Sequence, residues 1–254
     1  MNGFKRPQHG LGLVELMVGI TVGLIVAAGA SMVAVNQINE HRRLMLETQV
    51  QQDLRTAADL LQQDLRRAGF RGVADQGVWA PPRSVGSLKE TAAQTASVNP
   101  YAEITFHRDA QSGATLSYGY ARKASSGLYQ ASAAPGSNEQ FGFRWDTGTH
   151  TLYMQLGVGA DGQPNWQPIT DPDSLLIQDF DVELKDQPDP ISLGEFCDKP
   201  CSPLTAGAPA CPSLKVREVS FKIVGQAKHD PRVVRTLTGT ERVRAEAITG
   251  ACPT

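Results

Sequence analysis

Residues 10–35 read GLGLVELMVGITVGLIVAAGASMVAV, and this stretch decides how the chain is organised. Residues 16–35 carry no charge, and a helix of that length, at ~1.5 Å per residue, crosses the ~30 Å hydrocarbon layer of a bilayer. The polar residues 1–10 before it include Lys5 and Arg6, which is typical of the basic start of an export signal. The sequence therefore predicts a membrane segment behind a short leader.

One carboxylate, Glu15, stands among the apolar residues at the start of this stretch. An ordinary secretory signal peptide is the alternative interpretation, and Ala28-Gly29-Ala30 offers a small-x-small cleavage site. A carboxylate in a membrane is costly unless it is protonated or paired, and a discarded signal has no use for it. Helical periodicity also continues past the apolar run. Both features favour an anchor that remains on the mature protein.

Residues 10–18, GLGLVELMV, resemble the processing site that type IV pilins share with type II secretion pseudopilins. In that family a prepilin peptidase cuts after the glycine, methylates the new N-terminus and leaves glutamate as the fifth mature residue. The resemblance implies cleavage between Gly10 and Leu11, N-methylation of Leu11, and Glu15 as that fifth residue. Most members have phenylalanine where this chain has Leu11, but other hydrophobic residues are tolerated there.

The surroundings of Glu15 suggest its chemistry independently. Cleavage after Gly10 creates an α-amino group on Leu11, and this cation on a neighbouring subunit would be a partner for Glu15 inside an apolar bundle. The alternative is a carboxylate that only stabilises the start of the helix, where negative charge is favourable. We expect the pairing role, which makes Glu15 a subunit-assembly residue, because its surroundings are apolar.

After the apolar run the chain turns polar but keeps an apolar stripe. The stripe recurs at helical spacing, every three or four residues: Val50, Leu54, Ala57, Leu61, Leu65 and Ala68. A basic pair followed by Gly69 indicates a helix end near Ala68. A coiled coil is the alternative for this half, but the strand-rich region that follows offers a sheet to pack on. We therefore expect one helix, apolar over 11–35 and amphipathic over 36–69.

A second resemblance lies at the predicted helix end. Residues 60–72, LLQQDLRRAGFRG, are similar to the corresponding part of PilW-type minor pilins and of the related J-type minor pseudopilins of type II secretion. In those proteins an Asp-Leu-Arg-x-Ala-Gly-aromatic run recurs, and here it occupies residues 64–70. Beyond residue 72 we recognise no family motif.

Residues 70–254 are predicted to form a β-rich exported domain. The 24 glycines and 16 prolines indicate many turns. Six segments alternate apolar and polar residues as half-buried strands do, and they are centred on Ile104, Tyr118, Phe143, Met154, Val182 and Phe221. The predicted fold class is therefore α+β and pilin-like: a long N-terminal α-helix, with a transmembrane half and an amphipathic half, packed on an antiparallel β-sheet domain.

The four cysteines lie together near the C-terminus: Cys197, Cys201, Cys211 and Cys252. An even number in one region is typical of disulfides in an oxidising compartment. Zinc is the alternative, but the spacing fits no common zinc pattern and no histidine stands beside the cluster. We expect disulfides, whose pairing the sequence leaves open, and a disulfide-stapled loop near residues 187–213.

Composition and motifs argue against catalysis and against a nucleic-acid partner. The net charge of −2 gives no general attraction to nucleic acid. The five histidines are scattered, and neither G-x-S-x-G nor H-E-x-x-H occurs. The sequence predicts a non-enzymatic protein with no catalytic residues, cofactor, metal, small-molecule substrate or nucleic acid.

The resemblance implies a minor type IV pilin, a structural subunit that helps to initiate or cap pilus assembly. It implies prepilin peptidase, other minor and major pilins and the inner-membrane assembly platform as partners. The protein would be single-pass in the inner membrane, with its globular domain in the periplasm, and later part of an extracellular or periplasmic pilus. A J-type minor pseudopilin of a type II secretion system and a tip subunit for adhesion or DNA capture are the alternatives.

Overall fold

The computed structural model of the chain describes residues 12–72, 99–129, 134–186, 189–197 and 211–249. In these ranges one long α-helix precedes nine β-strands, with a single 3-10 turn at Gly194–Phe196. The helix, α1, spans Leu13–Leu65. The chain divides into two compact units, Met1–Leu46 and Glu47–Thr254. Helix α1 contributes residues to both units.

The amphipathic half of α1 ends at Leu65, slightly before the expected end near Ala68. The N–H groups of Arg67 and Ala68 donate to the carbonyls three residues back, at 2.9 and 3.0 Å, so the chain leaves the helix through a tightened turn. Gly69 then takes a positive φ of 79°, a left-handed conformation that glycine adopts without steric cost. The stop predicted at Gly69 is confirmed.

The strands form two antiparallel sheets, where the sequence predicted one. The first sheet is a meander whose strands follow chain order: β1 (Ile104–Asp109), β2 (Gly113–Gly119), β3 (Gln140–Asp146), β4 (Thr151–Val158) and β5 (Pro164–Pro168). In the second sheet one long strand pairs with the other three: β8 (Ser213–Ala227) with β6 (Leu175–Asp186), β7 (Ile191–Ser192) and β9 (Asp230–Thr249). The six predicted strand segments lie in β1 to β4, β6 and β8.

Strands β5 and β9, like the two-residue strand β7, had no clear signal in the sequence. β5 begins and ends with proline and is mostly exposed, as expected for an edge strand. β9 does alternate, but its half-buried positions include Arg235, which pairs with Glu47 of α1 at 2.5 Å, and Glu241, which pairs at 2.8 Å with Arg66 just after α1. Charged residues on the inner face hide the apolar alternation by which a strand is recognised.

The core of the second unit combines the apolar stripe of α1 with the inner faces of both sheets. All six residues predicted for the stripe are buried, from Val50 to Ala68, and each large apolar side chain buried in this way contributes ~1.5–3 kcal/mol. At Gly225 of β8 the contact is so close that a Cβ would lie 2.9 Å from a methyl carbon of Leu54. The chain has the predicted α+β fold, a long N-terminal helix packed on antiparallel β-sheets.

Candidate functional site

The first part of α1 exposes its apolar side chains. Every described residue up to Met45 is exposed, and the large apolar ones between Leu13 and Met45 are 53–75% accessible. The helix is long and apolar enough to cross a membrane. A continuous apolar surface of this size marks a membrane or protein contact, which is consistent with the anchor predicted from the sequence.

Glu15 lies in the first turn of α1, with its side chain exposed. Its backbone N–H donates to the carbonyl of Gly12 at 3.0 Å. A carboxylate in the first turn interacts favourably with the helix dipole. Gly10 and Leu11 lie outside the described residues, so the cleavage site, the methylated amine and its pairing with Glu15 stay predictions.

The cysteine-rich segment is described only in part. Cys197 and Cys211 are each disulfide-bonded, and no free cysteine occurs in the described part of the chain. Cys201 and Cys252 lie outside it, so the pairing of the four cysteines stays a prediction. In the loop near 187–213, the described residues before β8 form strand β7 and the 3-10 turn.

A buried carboxylate marks the end of α1. Asp64 is only 5% exposed, and its two oxygens accept hydrogen bonds from the hydroxyls of Tyr118 and, at 2.9 Å, Tyr120. Burial raises the pKa of Asp64 above its usual value. Burial also raises the pKa of Tyr120 to about 12, so its hydroxyl remains a donor. These bonds tie the end of α1 to strand β2 and the residue that follows it.

A cavity of about 630 Å³ opens beside this carboxylate. Most of its lining residues are aromatic or basic, and none of the described ones is acidic. Five of these residues are basic: Arg66, Arg67, Arg122, Lys123 and Arg244. From the sequence the first two indicated only a helix end, and the other three gave no signal, because the five residues come from three separate parts of the chain. We call this feature the basic cavity.

The cations of the basic cavity differ in their partners. Arg66 is held by Glu241 through two hydrogen bonds, at 2.8 and 3.0 Å. The charged groups of Arg122, Lys123 and Arg244 lie over the aromatic rings of Phe141, Tyr129 and Phe70, 5.6–6.0 Å from the ring centres. Among the described residues these three and Arg67 have no ion pair within 4.0 Å. The cavity therefore holds four positive charges without a direct counter-ion in that part of the chain.

Two protein families match this chain. Residues 5–31 match the prokaryotic N-terminal methylation motif, and residues 43–243 match the prepilin peptidase-dependent protein B family. The second match extends over most of the chain. The chain belongs to the prepilin peptidase-dependent protein B family. No curated protein and no solved structure matches it.

Membership of the prepilin peptidase-dependent protein B family, together with the methylation motif, indicates a type IV pilin-like or pseudopilin protein. Such proteins are processed by prepilin peptidase and work with pilus or secretion machinery. They are structural proteins and generally not enzymes. Within the described ranges no group of three or more His, Cys, Asp or Glu side chains could hold a metal ion.

Proposed function

We propose that this protein is a PilW-type minor type IV pilin, a subunit that helps to initiate or cap pilus assembly. The continuity of α1 supports this most directly. A single helix, Leu13–Leu65, carries exposed apolar residues in its first part and a buried stripe from Val50 onwards. The first part anchors the subunit in the inner membrane and later in the filament core, while the second part holds the β-rich body.

The assembly step would use the carboxylate of Glu15. Cleavage after Gly10 frees the α-amino group of Leu11, and on a neighbouring subunit this amine pairs with Glu15 between the apolar helices. Breaking such a pair after it has been buried costs on the order of 3–5 kcal/mol, because an uncompensated charge remains. The similarity of residues 64–70 to the run shared by PilW-type minor pilins and J-type minor pseudopilins supports a minor subunit of such a filament.

Replacement of Glu15 tests this proposal. Glu15→Ala should insert into the membrane as well as the natural protein, since an uncharged segment crosses lipid at lower cost, but should not enter filaments. The matched control is Glu40→Ala, which removes an exposed carboxylate from the same helix outside the apolar run. Sheared filaments and membrane fractions from both strains are probed for the subunit. Incorporation of Glu15→Ala at the level of the control would refute the assembly role.

A J-type minor pseudopilin of type II secretion is the second candidate, because the run at residues 64–70 resembles both classes. The two roles differ in what fails when the chain is deleted from its host. If the chain is a minor pilin, its deletion should reduce the number of surface pili and leave secretion normal. If it is a pseudopilin, its deletion should reduce secretion and leave the pili normal. Pilus counts and secreted-protein assays on the same deletion strain therefore separate the candidates.

We also propose that all four cysteines are paired in the exported protein, stapling the loop near 187–213. Loss of a disulfide from a secreted domain typically costs ~2–5 kcal/mol. Thiol labelling of the denatured, unreduced protein should therefore find no free cysteine, and Cys197→Ser should lower the free energy of unfolding by that amount. Labelling of two or more cysteines, or bound zinc, would contradict the disulfide assignment.

A further inference from the structure

We propose that the basic cavity binds an acidic peptide segment of another filament subunit. The acidic character of the ligand is inferred from the residues that line the cavity. The identity of the partner as a filament subunit rests on the proposed function. The cavity lies beside the end of α1, where Arg67 leaves the helix and Arg122 follows β2. A carboxylate-bearing segment placed there would contact the helix end and the first sheet together.

The charges of the cavity call for an anion. Arg67, Arg122, Lys123 and Arg244 line one cavity of about 630 Å³ and have no ion pair among the described residues. Like charges held this close repel one another, and an anion between them relieves the repulsion. Arginine also matches the planar geometry of a carboxylate with two parallel N–H donors. Three of these four residues are arginines.

The protein's own carboxylates near the cavity are already engaged. Asp64 accepts hydrogen bonds from two tyrosine hydroxyls. Glu139, 9% exposed, accepts from the hydroxyl of Tyr101 and from the backbone N–H groups of Gly136 and Arg122, at 2.8–3.0 Å. Both are buried and neither lines the cavity. They lower the positive potential, and Arg67 also hydrogen-bonds to the hydroxyl of Tyr120, but the four cationic side chains are exposed to solvent.

The aromatic residues favour a peptide over nucleic acid. Single-stranded nucleic acid binds by stacking its bases on free ring faces. Here a cation already covers one face of Phe70 and one face of Tyr129, and these two rings pack edge to face, with centres 5.4 Å apart. The net charge of −2 gives no general attraction to a long polyanion, which would extend beyond the basic cavity. The cavity volume falls in the ~300–1,000 Å³ range of sites for small ligands, which suits a few acidic side chains.

The experiment measures binding of fluorescent probes to the full mature chain in a neutral detergent. The probes are a short peptide with four glutamates, the same peptide with glutamines, and a single-stranded oligonucleotide of equal charge. The glutamate peptide should bind, the glutamine peptide should not, and the oligonucleotide should bind more weakly. Binding of the glutamate peptide should also weaken as salt is added, because the charges are exposed and screened.

Charge-neutral variants locate the site. Arg122→Gln and Lys123→Gln should each weaken binding of the glutamate peptide by about tenfold, the effect of one charge-assisted hydrogen bond. Lys185→Gln, an exposed cation in β6 and outside the cavity, is the matched control and should bind normally. Arg122→Lys keeps the charge but loses the two parallel N–H donors, so it should bind more tightly than Arg122→Gln and less tightly than the natural protein. All of these side chains are exposed, so the variants should fold.

Three results would overturn the proposal. The first is absence of binding by the glutamate peptide. The second is equal weakening by Arg122→Gln and Lys185→Gln, which would indicate only a nonspecific charge effect. The third is tighter binding of the oligonucleotide, which would indicate a nucleic-acid site instead. None of these outcomes depends on Glu15, so the cavity can fail while the assembly role holds, and the reverse.

Discussion

The two parts of α1 belong to one helix but use apolar residues in opposite ways. Up to Val35 the apolar side chains cover the helix and remain exposed, as at Leu24, which is 65% accessible. From Val50 onwards one apolar stripe of the helix is buried against the sheets, as at Leu61, which is 0% accessible. A helix that is apolar on all sides must be covered by a membrane or by other chains, whereas a single apolar stripe is covered by the chain's own sheets.

Truncation of one leucine in each part is the strongest test of this difference. Leu61→Ala should lower the free energy of unfolding by about 2–5 kcal/mol, because it leaves a cavity in the core. Leu24→Ala should leave the unfolding of the β-rich body unchanged, because Leu24 contacts no core. Denaturant unfolding in detergent, followed by the fluorescence of buried Trp145, measures both. Equal effects of the two substitutions would disprove the division of the helix.

Two glycines compare the close packing of α1 against β8 with the open surface of the first part of α1. Gly225→Val should cost about 1–3 kcal/mol, because its side chain would overlap Leu54 and Leu175, whose methyl carbons lie 2.9 and 2.7 Å from a Cβ at that position. Gly29→Ala is the control, since nothing lies within 4 Å of its Cβ position. Thermal unfolding should separate the two variants, and a Gly225→Val protein as stable as the natural one would mean that α1 can move away from β8.

The smallest expected effect concerns the carboxylate at the helix end. Because burial raises the pKa of Asp64 above the usual 3.8, the folded chain retains this proton at a pH where the unfolded chain has lost it. The stability that this group provides is therefore fully present below pH 3.8 and decreases as the pH rises to the raised pKa, by about 1.4 kcal/mol for each unit of difference.

Asp64→Asn removes this titration while keeping the shape of the side chain. The difference in unfolding free energy between the natural protein and the variant should shift in favour of Asn as the pH rises from 3.8. Unfolding titrations at a series of pH values measure this difference, with Asp59→Asn on the exposed side of α1 as the matched control. A difference that is constant across the series would show that Asp64 ionises equally well in both states.

Sequence reasoning succeeded where one local pattern specified one structure. The apolar run, the helical stripe and the stop at Gly69 each lie within one segment, and the structure confirms the stripe and the stop. Six strands were also found from alternation alone. Strand β9 was missed because Arg235 and Glu241 occupy half-buried positions in it, and their ion-pair partners, Glu47 in α1 and Arg66 just after it, lie far away in the sequence. A pairing between distant segments leaves no local signal.

The sequence by itself determined the long helix, its apolar and amphipathic halves, and membership of a processed, anchored class of proteins. These features follow from the spacing of apolar residues and the placement of charges within single segments, so they depend only on residues close together in the sequence. Only the tertiary structure decided that the strands divide into two sheets, that Asp64 is buried under Tyr118 and Tyr120, and that Arg244 joins Arg122 at one cavity. Those contacts join residues far apart in sequence, and packing alone brings them together.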